Sequence, residues 1–232
     1  KSAIAEPDLG VKFKNDSVIS RRRNDNVQKY NGRYNTFIGH NSGKLLFGGS
    51  ENILVGRNSG EDMNETDLKK PNANTFIGTN SGQTFKNGSS NIFLGYNVCK
   101  DIFNKDIINS ITIGTNSTNE SDGNLVLGSF SSISSDNAID STLIGNYSTN
   151  ISSNSIILGK RSYNLGASTI LIGNDLSNCG ENSIIIGHSI SNCSNNFINL
   201  NNVLYGTIGD TINFADNINL LKNTTVSNLD VD

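Results

Sequence analysis

NSIILGKRSYNLGASTILIGNDLSNCGENSIIIG, residues 154–187, reads as three copies of one pattern. Each copy runs from a polar turn former through three apolar residues to a glycine, and Gly159, Gly173 and Gly187 follow one another at intervals of 14. β-branched residues bounded by Asn, Ser or Thr on one side and Gly on the other have strand chemistry. Fourteen residues hold two short strands and two corners and leave no room for a helix. A glycine at the same place in every copy marks a point where a side chain does not fit or φ must be positive.

Outward from this stretch the block recurs, ending at Gly39, Gly56, Gly78, Gly95, Gly114, Gly128, Gly145, Gly159, Gly173 and Gly187. The spacings are 17, 22, 17, 19, 14, 17, 14, 14 and 14, so a base period of 14 carries insertions of 3, 8, 3, 5 and 3 residues. A constant block with variable insertions predicts a stacked repeat with a fixed core and tolerant rim loops. Three residues past the glycine stands Ser42, Ser59, Ser81, Ser117, Ser131, Ser148 or Ser162. Six past it, in the uninterrupted repeats, stands Ile151, Leu165, Cys179 or Cys193, expected to point inward from a second strand. Cys179 and Cys193 then stack on adjacent turns as small core residues, with strand spacing close to disulfide reach.

Side chains alternate faces along a strand, so Ile170 and Ile172 oppose Leu171, and Ile184 and Ile186 oppose Ile185. Both faces are apolar, and both require cover. A narrow coil covers only the face inside it. The row Phe37, Leu54, Phe76, Phe93, Val126, Leu143, Ile157, Leu171 and Ile185, or else its neighbours, needs a second surface. Burial of one such stripe favours association by roughly ten kcal/mol per chain before association costs.

The Asn-x-Ile-x-Ile-Gly pattern at a 14-residue period over residues 34–206 resembles the head repeats of YadA-like trimeric adhesins, which also occur in phage and large-virus fibre proteins. The resemblance implies an all-β, left-handed parallel β-roll assembled as a homotrimer. It implies a non-enzymatic surface fibre or adhesin segment that meets a host receptor or surface glycan, on a virion or an outer cell surface. Residues 1–33, without the block, are expected to form an irregular arm or connector. The pattern degrades after Gly187, where Asn199 and Asn201 replace the apolar residue and the glycine. Residues 203–206 read as a last repeat and 207–232 as capping or connecting strands. With Lys1 rather than Met at its start, the chain is expected to continue an upstream segment.

The remaining composition narrows the function classes. Only 34% of residues are hydrophobic, Trp is absent and the formal charge is −3, which gives no bulk attraction to nucleic acid. Arg21, Arg22 and Arg23 form the one basic cluster and read as a solvated arm. No apolar run reaches the length of a membrane-spanning helix. His40 and His188 each follow a repeat glycine, so register explains them. No catalytic triad, carboxylate pair, zinc spacing or phosphate loop is present, so neither cofactor nor metal is expected. The acidic segment Glu61 to Asp67 lacks the spacing of a calcium loop and reads as a rim loop, within the most prominent insertion. The competing readings are a monomeric β-helix carbohydrate-active enzyme, which would cluster Asp, Arg or Lys on one sheet, and a purely structural solenoid.

Overall fold

The computed structural model describes residues 12–13, 17–18, 34–46, 48–63, 71–102, 106–209 and 212–214, with 12–13, 17–18 and 212–214 as backbone alone. Arg21 to Arg23, Asn64 to Asp67 and the tail beyond Phe214 lie outside the described residues. Among the described residues the protein is all-β, a parallel β-solenoid of about eleven turns. Every glycine-terminated block forms a strand. Eleven strands, from Thr36–Ile38 and Ile53–Val55 through Ile184–His188 to Phe197–Leu200, pair in parallel and in register. A second parallel sheet of two-residue strands, Thr118–Asn119 to Ser191–Asn192, accompanies the later turns. Residues 203–206 are not a further turn. Leu204–Thr207 folds back antiparallel on Phe197–Leu200, and Ile212–Phe214 pairs antiparallel with it in turn. Without a glycine at 201 the chain makes a tight turn instead, in which the Asn199 side chain bonds both the backbone N–H and the side chain of Asn202.

With the glycine of each turn taken as position 0, steric contact between turns explains why it is glycine. A Cβ at Gly39, Gly56, Gly78, Gly95, Gly114, Gly128, Gly145, Gly159 or Gly173 would run into the carbonyl oxygen of the glycine one turn on. At Gly187 it would meet Asn201 and Ile190. Most of these glycines also have positive φ and open a corner, as their place in the repeat suggested, and the left-handed residues of each turn fall on either side of them. Position +2, from Asn41 (φ 56°) to Ser189 (φ 53°), and position −5, from Tyr34 (φ 59°) to Asn196 (φ 54°), are left-handed in every turn. Asn and Gly tolerate that conformation best, which accounts for much of the asparagine content.

The middle row of each strand lies inside the coil. Leu54, Phe76, Phe93, Val126, Leu143, Ile157, Leu171 and Ile185 are fully buried, and Phe37 nearly so. The row changes character along the axis. In the longer early turns Phe76 stacks on Phe93 with ring centroids 4.5 Å apart, and Phe85 meets both edge-on at 5.2 and 5.6 Å. Phe85, Met63, Ile102 and Ile107 come from the insertions, yet they are buried in the same cluster. The insertions are therefore not simple rim loops: they widen the coil and fill it. From Val126 onward the turns are narrower and an aliphatic core suffices.

The interior is also more polar than expected. Position −4 is Asn in most early turns and Ser or Thr in most later ones, and these side chains accept a backbone N–H from the next turn, except Thr169, whose hydroxyl donates to Ser155 Oγ and the Gly166 carbonyl. Asn74 N bonds Asn52 Oδ1 at 3.0 Å, Asn91 N bonds Asn74 Oδ1 at 3.1 Å, and Ser155 N bonds Ser141 Oγ at 3.2 Å. On the second sheet, position +5 points inward, not +6. Asn150, Asn164, Asn178 and Asn192 form a buried amide ladder at 2.8–2.9 Å. Leu165 and Cys193, predicted inside, are exposed, and Ile151 and Cys179 are half-buried. The Ser at +3 donates to a carbonyl of the following turn, as Ser59 does to Phe76 and Ser131 to Gly145. Where Leu176 and Ile190 replace it, they fill the core.

Candidate interaction face

With the middle row inside, the flanking positions −3 and −1 of every strand point out of the long sheet. They form two continuous columns. One holds Ile53, Ile92, Ile111, Leu125, Ile156, Ile170 and Ile184, interrupted by Thr36, Thr75 and Thr142. The other holds Ile38, Val55, Ile77, Leu94, Ile113, Leu127, Ile144, Leu158, Ile172 and Ile186. Ile53 and Ile77 are each 42% exposed and Ile172 36%. At one strand spacing per turn the strip is about 50 Å long and on the order of 500 Å². Of the two rows left open by the sequence, the flanking one is therefore on the surface.

The +2 corner borders this strip and carries a second column. Asn41, Asn58, Asn80, Asn97 and Asn116 form an amide ladder from turn to turn, with contacts of 2.8–3.3 Å. Phe130 and Tyr147 continue it as stacked rings with centroids 5.0 Å apart. Arg161 then grips Asp175 with two hydrogen bonds of 2.5 and 2.6 Å. The guanidinium holds the Asp175 carboxyl below the usual carboxylate range, assisted by His188, whose Nε2 lies 3.8 Å away.

Most residues with chemical potential stay apart; the exception is exposed, where His188 Nε2 lies 3.8 Å from Asp175 Oδ2 and its Nδ1 lies 2.6 Å from Ser189 Oγ. Cys99 is buried, and desolvation pushes its thiol up to about 12. Cys179 and Cys193, on the rim of the second sheet with Cα atoms 4.5 Å apart, are joined as a disulfide rather than packed as core residues. His40 and His188 are exposed on different turns. Among the described residues no three His, Cys, Asp or Glu side chains converge as a metal site, and no helix is long and apolar enough to cross a membrane. In comparison with known proteins, the chain matches neither a protein-family model nor a curated sequence. The organised feature is thus the two-column apolar face. Sequence alternation signalled that such a face exists, but the mixed columns at +2 carried no signal that could be read from spacing.

Proposed function

We propose that this chain is a segment of a homotrimeric surface fibre or adhesin, a non-catalytic rod in which three left-handed rolls pack their long sheets around a common axis. The observation that carries the reading is the pair of apolar columns on the outer face. A single chain leaves them in water as one continuous strip over ten consecutive strands, unlike the scattered apolar residues of an ordinary surface. Their alignment along the coil axis suits a partner that runs parallel to the same axis. Three sheets, each two columns wide, close a triangular core.

In such a rod the polar corners and the second sheet face outward and are available to a host receptor or surface glycan, on a virion or an outer cell surface. The test is sedimentation equilibrium of the chain beside an Ile144→Lys/Ile172→Lys variant. A mass of three times 24.9 kDa that falls to one chain in the variant, with β-sheet circular dichroism retained, is the expected result. A wild-type chain that sediments as a single copy would overturn the reading.

A further inference from the structure

The long sheet has two edges, and their side chains differ in kind. On the edge where the chain enters each strand, positions −6 and −5 hold Glu51, Asp122, Asp140 and Glu181, and no basic residue among the described residues. The same edge exposes Tyr34, Ile108 and Ile139, at 72%, 44% and 41%. On the edge where the chain leaves, positions +1 and +2 hold Arg57, Lys160 and Arg161, with the one acid, Asp175, bonded to Arg161. This edge exposes Tyr96, Phe130 and Tyr147.

Three of the ten rungs carry complementary side chains on the two edges. The Gly56 rung carries Glu51 on one edge and Arg57 on the other. The Gly145 rung carries Ile139 and Tyr147, and the Gly187 rung carries Glu181 and His188. Within one chain the strand between them holds such a pair roughly 15 Å or more apart, beyond contact. Neither Glu51 nor Arg57 has an ion-pair partner among the described residues.

We infer that the entering edge of one chain docks against the leaving edge of a second copy in parallel and in register, so that Glu51 meets Arg57, and Ile139 meets Tyr147, across each seam of a closed ring. The inference rests on the trimeric reading and adds to it the edges that make contact and their register. Two unlike edges make a heterologous contact, which closes by rotation instead of pairing like with like. Equal height of the copies sets identical rungs against each other. Acid against base at the Gly56 rung and Ile139 against Tyr147 at the Gly145 rung favour this register.

The test uses the whole chain with Glu51→Cys and Arg57→Cys together, treated with a short bis-maleimide and run denatured. Cys99 is buried and Cys179 is joined to Cys193, so the native cysteines stay silent. The expected product is a covalent species of three chains, absent from either single variant. Glu51→Arg alone should weaken association about tenfold, and Glu51→Arg with Arg57→Glu should restore it. A chain that sediments as a trimer, yet neither cross-links nor responds to the reversals, would overturn the edge pairing and leave the trimeric reading standing. A covalent pair without the three-chain species, or a single sedimenting chain, would overturn both.

Discussion

At the scale of the residue, two backbone demands shape the composition. Position 0 has no space for a Cβ because adjacent turns approach too closely, and Gly78 also has φ +132°. Gly78→Ala is therefore expected to destabilise the roll by about 2 kcal/mol or more, read as a lowered denaturation midpoint. At the +2 corner Asn80→Gly keeps the left-handed backbone and loses only the two ladder contacts of the side chain, so it should cost less. Asp175 shows how a single pair behaves on this surface. Its carboxyl titrates low because Arg161 stabilises the charged form, so the contact persists above the free carboxylate pKa and is lost as pH falls through the lower folded value. An NMR titration should find the Asp175 midpoint below that of an ordinary aspartate, moving back up in Arg161→Gln. The glycines were legible from spacing alone. The left-handed corners were not, because Asn, Ser, Phe and Arg share them.

At the scale of the element, turn-to-turn hydrogen bonding accompanies apolar contact inside the coil. Asn164 is buried between Asn150 and Asn178 and also donates to the carbonyl of Gly166. Asn164→Ala leaves those partners unsatisfied, and a loss of about 2–4 kcal/mol in chemical denaturation is expected. The repeat period revealed the first strand of each turn, whose three residues alternate plainly. The second strand is only two residues long, too short for alternation to show. An apolar residue at +6 was then the natural inward choice, although asparagine at +5 holds that place by bonding its own ladder. The insertions misled for a related reason: Met63 and Phe85 lie outside the periodic block, and only the wider early turns show that they enter the core. The Cys179–Cys193 bridge closes a loop of one turn, sequence separation 14. Its reduction is expected to destabilise by about 3 kcal/mol in the chain-entropy view, seen as a lower urea midpoint under dithiothreitol.

At the scale of the whole molecule, one sheet face decides behaviour in solution. Ten rungs repeat the outward positions, apolar at all but Thr36, Thr75 and Thr142, so any local change is diluted and association is expected to respond to the strip as a unit. Alternation within Ile-Leu-Ile and Ile-Ile-Ile implied two apolar faces before any coordinates. Which face is interior depends on the hand in which the corners turn, and that was settled only by the burial of Phe76, Leu143 and Leu171. In the proposed trimer, sister copies cover the strip. The most direct measurement is an electron cryo-microscopy map of the folded protein at side-chain resolution. Three rolls with Ile113, Ile144, Ile172 and Ile186 turned toward a shared axis are expected. A lone roll with those isoleucines in solvent would contradict it.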